Sequence, residues 1–399
     1  MTNALDYISW RCDIPFAAVG VNEIDAFLFS QLITPHYEGI LDTGSKTLSA
    51  AADEYFSFHT EDVSNLGVLQ SPSVLPMFSA LAESRRFGGV ILHDYVNTVD
   101  ESNTEQFSAV SFDLDNGITF VSFRGTDDSI IGWKEDFNIA IMSSVPAQTD
   151  AACYLNRILA STDNRIIVCG HSKGGNLAVY SAAKCLPGYQ SRIISVYNFD
   201  GPGFRKEFLS DDGYLCVKDR VITVLSQHST VGTLLYPVGE WRIVKSAVAG
   251  PTAHDGFNWE VMGTEFIREA ELSEASARFD RIMDETVEAM DTSQLRAFTD
   301  ELFDSLLSSG ARTITEFAAL KPSARLEVAV SIYKDKSVAA FASQVREEFI
   351  KALRPELPRI ELDIPKVELP ELELPKVELP NIDLPQQITE LIEQRKSRG

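Results

Sequence analysis

One stretch constrains the chain more than any other: RIIVCGHSKGGNLAVY, residues 165–180. A run of apolar, mostly β-branched residues reads as a buried strand, and the small and apolar residues after Gly174 read as a helix. Between them lies Gly170-His171-Ser172-Lys173-Gly174, the pattern G-x-S-x-G. A strand can turn into a helix this sharply only on a strained backbone, and small residues two before and two after the serine let the turn close. The serine hydroxyl then stands above the sheet, with the N-terminus of a helix behind it. Ser172 is therefore a candidate nucleophile, and the competing reading is a glycine turn with no chemistry.

The neighbouring sequence repeats the strand signal. FSAVSFDL (107–114) and ITFVSF (118–123) flank an Asn-Gly pair, as in a hairpin, and RIISVYNF (192–199), RVITVLS (220–226) and WRIVKS (241–246) are further short apolar runs. AACYLNRILAS (151–161) and GNLAVYSAAKCL after the elbow carry helical spacing. Strands alternating with helices predict an α/β fold whose mostly parallel sheet is covered on both faces, with the hairpin toward one side.

A length of 399 residues suggests two or three domains, and a 44% hydrophobic content supplies a sizeable core. The first domain spans residues 1–262. Residues 263–353 change character: EFIREAELSEASARFDRIMDETVEAM and the segments after it space apolar residues three and four apart on acidic faces, which predicts a helical module. Residues 354–399 hold prolines at 365, 370, 375, 380 and 385. Proline at every fifth position excludes a helix interior, so this tail is expected to be extended or disordered, and it offers a docking segment for a protein partner.

A second chemical signal lies at TFVSFRGTDDSIIGWKEDFNIA, 119–140. Acyl transfer needs two donors for the oxyanion. One is the backbone N–H of the residue after the nucleophile, here Lys173, and the other comes from a loop after an earlier strand, where Thr126 stands. Arg124 and Asp127 can equally form a structural ion pair at that turn. Lys173 is unusual beside an elbow. It reads as a cation near the oxyanion that favours an acidic substrate group, as a solvated lysine, or as a partner of Asp127 or Asp128. DDSIIGWKEDFNIA is the natural lid segment.

FRGT followed by GHSKGGNLA resembles the class 3, fungal-type lipases of the α/β-hydrolase fold. FNIAIMSSVPAQ, NFDGPGF, STVGTLL, AHDGFNWEV and NEIDAFLFSQL resemble, more closely, the bacterial Mbeg1-like family of lipase-like proteins. The resemblance covers residues 1–262. It implies an α/β-hydrolase core and a serine hydrolase acting on carboxylic esters, with an ester or lipid-like small molecule as substrate.

In that fold the triad runs Ser, then Asp or Glu, then His. His36, His59 and His93 precede the serine, and His171 sits in the elbow, where its side chain is expected to point away from Ser172. His254, in a loop after the last candidate strand, is the expected base, with His228 behind it. The acid is less direct. Class 3 lipases place an Asp where this chain has Ser229. Asp200 ends the preceding strand, a position from which some pancreatic-type lipases take their acid, so Asp200 is the candidate. Asp255 and a Ser-His pair steadied by Ser229 are the alternatives.

A net charge of −23 argues against a nucleic-acid partner and against attraction to an anionic membrane. No apolar run is long enough for a transmembrane segment, and the first residues do not read as a secretion signal. Five scattered cysteines fit reduced thiols, so a cytoplasmic location is expected. Phosphate-cradling loops and zinc spacings are absent from the sequence, so no cofactor and no metal are expected. The alternative to an enzyme is a lipase-like pseudoenzyme or scaffold that binds a partner through its helical module and proline-rich tail.

Overall fold

The apolar runs become neighbouring strands of one eight-stranded sheet in the computed structural model, which describes residues 2–59, 70–289, 292–325 and 328. The chain divides into two units, Met1–Glu356 and Leu357–Gly399, and every described residue belongs to the first. The proline pentads, the basic segment that follows them and most of the helical pattern after residue 323 lie outside the described residues.

The strands are β1 (Ser45–Thr47), β2 (Ile91–Asp100), β3 (Glu105–Asp113), β4 (Ile118–Phe123), β5 (Arg165–His171), β6 (Ile193–Phe199), β7 (Val221–Ser226) and β8 (Glu240–Val244). They lie side by side in chain order. β1 to β4 are antiparallel, and β4 to β8 are parallel. The parallel half matches the fold expected for an α/β-hydrolase core. β1 and β2 carry no signal of the kind that marked the others. ILHDYVNTVD mixes His, Asp and Asn into its apolar residues and is only half-buried, so it shows no continuous apolar run.

The helices are α1 (Ala4–Arg11), α2 (Glu23–Gln31), α3 (Leu48–Phe58), α4 (Val74–Glu83), α5 (Ile130–Ile141), α6 (Pro146–Ser161), α7 (Lys173–Lys184), α8 (Asp212–Val217), α9 (Glu274–Ala289), α10 (Thr292–Ser308) and α11 (Ile314–Ala319). They cover both faces of the sheet, and strand alternation divides the core accordingly. Ile167 and Cys169 join Phe27, Phe29 and Trp259 on one face, whereas Ile166 and Val168 join Leu155, Ile158 and Val179 on the other. With both faces buried, the strand reads as an unbroken apolar run. Phe29 stacks on Phe120 at 4.1 Å. Each such side chain contributes roughly 1.5–3 kcal/mol through burial.

The helical reading from residue 265 onward needs one correction. Val261–Met262 and Glu265–Phe266 pair as a small hairpin. Beyond it the chain stays extended along β8: Lys245 N donates to Ile267 O at 2.8 Å, and Glu269 N to Ile243 O at 2.9 Å. The spacing of this segment suits a helix, but unpaired backbone groups at the edge of β8 offer hydrogen bonds that a local helix cannot match. Helix begins only at Glu274. α9 and α10 then lie over the sheet's C-terminal end, and α10 packs on α5 through Phe303 and Phe137, with ring centroids 5.2 Å apart.

Candidate active site

β5 ends at His171, and Ser172 sits at φ 56°, ψ −134°, a region that non-glycine residues seldom occupy. The sequence around it accommodates this turn. A Cβ at Gly170 would lie 2.1 Å from Gly174 O, and one at Gly174 would lie 2.1 Å from Phe123 O. Ser172 N donates to Phe199 O at 2.9 Å, and Gly175 N donates to Ser172 O at 2.8 Å. The elbow is thus stitched to β6 and to the first turn of α7. The Ser172 hydroxyl does not cap the helix, which leaves it facing a cavity of about 640 Å³.

His254 lines this cavity and meets Asp200 behind its wall. Asp200 follows β6 with φ 52°, fully buried, and its N–H donates to Val224 O at 2.8 Å. Its Oδ2 lies 2.7 Å from His254 Nδ1. A carboxylate only accepts, so Nδ1 carries a proton, and in the neutral ring the lone pair is on Nε2. Asp200 Oδ1 accepts from the Ser229 hydroxyl at 2.5 Å, and Ser229 Oγ accepts from Gly232 N at 2.9 Å. Ser229 therefore stands beside the Asp200 carboxylate. Asp255 instead caps its own turn, with Oδ1 3.0 Å from Phe257 N, and burial pushes its carboxyl up. His228 lies against Gln227 at 3.0 Å and is absent from the cavity wall.

The His171 side chain meets His254: Nε2 donates to His254 O at 2.8 Å, and the two rings are 4.6 Å apart. Burial and the neighbouring His254 lower its pKa to about 4, so the ring stays neutral and Nε2 remains a donor. The sequence signal was the G-H-S order itself, which cannot say which way the imidazole turns.

Thr126 follows β4, with Gly125 so close to the elbow that a Cβ there would lie 3.1 Å from Ser172 Cβ. The Thr126 hydroxyl donates to Asp136 Oδ2. The backbone N–H groups of Thr126 and Lys173 take no partner among the described residues, the second because it opens a helix. Burial raises the Asp136 pKa to about 6, against the pull of Lys173 and of the Thr126 hydroxyl.

The Lys173 side chain overturns the readings given to it. Its ammonium is buried and donates to Glu135 Oε2 at 3.0 Å and to Gln106 O at 2.9 Å. It is neither solvated nor paired with Asp127 or Asp128, and its charge is met inside the protein by Glu135 rather than held out toward a substrate. Asp127 instead lies 3.4 Å from Arg124. Asp128 O accepts from Ile314 N at 2.9 Å, which ties the turn to α11.

The segment read as a lid is α5. Its Ile139 and Ile141 line the cavity, together with Val231 and Leu234 from the loop after β7 and Leu295 and Phe298 from α10. The helices after the hairpin thus form part of the cavity wall, a role that the sequence did not reveal. Among the described residues no group of side chains is arranged to hold a metal ion, and no helix is long and apolar enough to cross a membrane.

The crystal structure of M37 lipase is similar at 18% identity, over 52% of this chain and 68% of that one, with a TM-score of 0.34. The chain matches no curated protein. The Mbeg1-like family model matches residues 81–304, from the end of α4 through the elbow, Asp200 and His254 into α10. That is more than half of the chain, which therefore belongs to the Mbeg1-like family.

Proposed function

We propose that this protein is a serine hydrolase that cleaves carboxylic esters through an acyl-enzyme on Ser172. The 2.7 Å contact between His254 Nδ1 and Asp200 Oδ2 carries this reading, because it leaves His254 Nε2 as a base in the cavity that Ser172 shares. The Ser172 Oγ attacks the ester carbonyl carbon while its proton passes to His254 Nε2. Asp200 holds the tautomer and steadies the imidazolium. The developing oxyanion is held by the Thr126 and Lys173 N–H groups, with the dipole of α7 behind them. The carbon–oxygen bond to the alcohol breaks as His254 returns the proton to the leaving oxygen. Water then repeats the sequence and frees the acid.

The test is a fluorophosphonate probe on the full chain, with the adduct mapped by mass spectrometry and with Ser172→Ala and His254→Ala beside it. The reading requires an adduct on Ser172 that is lost in the first variant and slowed at least about a hundredfold in the second. A folded wild-type protein that takes no adduct would refute it.

A further inference from the structure

Both oxyanion-hole donors are attached to the same turn of α5. The Thr126 hydroxyl donates to Asp136, and the Lys173 ammonium donates to Glu135, the residue before it. The Glu135–Lys173 pair is a completed buried site. Glu135 Oε1 accepts from Ala147 N at 2.9 Å, and Oε2 accepts from Gln106 N at 3.0 Å as well as from Lys173. Lys173 adds its bond to Gln106 O, and its Nζ lies 3.9 Å from Asp136 Oδ1. Both partners are essentially inaccessible to solvent.

An apolar residue at 173 would fill the space without desolvating a charge, and replacing a buried ion pair by packed apolar groups is often neutral or stabilising. The backbone N–H groups of Ala147 and Gln106 account for an acceptor at 135, but not for the cation at 173, so stability alone gives little reason for an ion pair. Its geometry gives another. The residue whose backbone N–H faces the oxyanion is fixed, through its own side chain, to the helix that forms one wall of the cavity.

Resting on the serine-hydrolase reading above, we propose that Lys173 is a positioning residue. Its ion pair with Glu135 sets the spacing between the elbow and α5, and so holds the Lys173 and Thr126 N–H groups at the separation that one oxyanion requires. Small displacements of such donors cost rate rather than substrate binding, because the contact is made in the transition state.

The test compares the full-length wild type with Lys173→Met and with Lys173→Met/Glu135→Gln, in which neither charge is left alone and residue 135 keeps an acceptor for the buried backbone. Stability is followed by thermal unfolding, turnover with p-nitrophenyl butyrate, and backbone opening by hydrogen exchange. The double variant should fold, keep KM within about twofold and lose at least about tenfold in kcat. Peptides covering 123–141 should exchange faster in it, while those of β5 and β6 do not change. A folded double variant with wild-type kcat, or with wild-type exchange over 123–141, overturns the proposal. A wild type that lacks turnover and takes no fluorophosphonate refutes the hydrolase reading instead, and the exchange comparison then decides by itself whether Lys173 spaces the elbow from α5.

Discussion

The Ser229 hydroxyl donates to Asp200 Oδ1 at 2.5 Å, on the carboxylate whose other oxygen holds His254. Under the proposed hydrolase reading, Ser229 is thus a donor to the triad acid rather than the acid itself. Ser229→Ala removes one charge-assisted hydrogen bond and is expected to lower kcat about tenfold, the effect of roughly 1.5 kcal/mol. Asp200→Asn should cost about 10⁴ in kcat, because the imidazole loses the partner that fixes its tautomer. Asp255→Asn should leave both kcat and stability nearly unchanged, because its amide oxygen still accepts from Phe257 N. Ester kinetics and urea unfolding of the three variants separate these outcomes, and an Asp255→Asn variant as damaged in kcat as Asp200→Asn would move the acid.

Stability should fall in acid through His171. Its pKa is about 4 in the folded chain against an ordinary value near 6.5. The unfolded chain therefore binds the extra proton first, and folding loses free energy as pH falls from about 6.5 toward 4. The loss is about 2 kcal/mol between pH 7 and pH 4.5. His171→Gln keeps a donor for His254 O and has no such titration. Urea unfolding at the two pH values should show a smaller acid loss in this variant than in the wild type, and equal losses would contradict the assignment.

Asp136 titrates with the opposite sign. Its raised pKa, about 6, means that the folded state holds the proton more tightly than the unfolded state does. The ionised carboxylate therefore destabilises the fold as pH rises from about 4 to 6, by roughly 3 kcal/mol above that window. Asp136→Asn is expected to raise thermal stability at neutral pH and yet to lower kcat several-fold, because an amide oxygen is a weaker acceptor for the Thr126 hydroxyl. A variant that gains stability with unchanged kcat would show that this hydroxyl does not steady the Thr126 N–H.

Phe298 closes the cavity from α10 and is 7% exposed. Phe298→Leu shortens that wall while remaining apolar. It should change kcat/KM by about three- to tenfold for p-nitrophenyl dodecanoate relative to the butyrate, since only the longer chain reaches so far. An unchanged ratio would place the acyl chain elsewhere.

Much of this arrangement was legible in the sequence, for definite reasons. β5 and β6 were read to within a residue or two because strands buried on both faces leave continuous apolar runs. Ser172 was legible because its strained turn requires Gly170 and Gly174. Glu135 was not, because its meeting with Lys173 depends on how α5 packs across the elbow, and no local pattern encodes that. That the His171 ring meets His254 was not legible for the same reason. The extended run after residue 265 was missed because its apolar spacing suits a helix, and the pairing that overrides it belongs to β8.

That pairing bears on how the protein can be dissected. β8 is the last strand of the large sheet, and residues 267–269 occupy its outer edge. A chain cut at 262 would bare those amides and carbonyls on a row that includes Ile243, and open strand edges invite other chains to pair with them. It would also lose the bond from Ser276 to Ser229 O, next to the carboxylate of Asp200. Such a fragment should associate into aggregates whether or not its chemistry survives, so an inactive truncation at this point would report on a sticky edge rather than on the absence of catalysis.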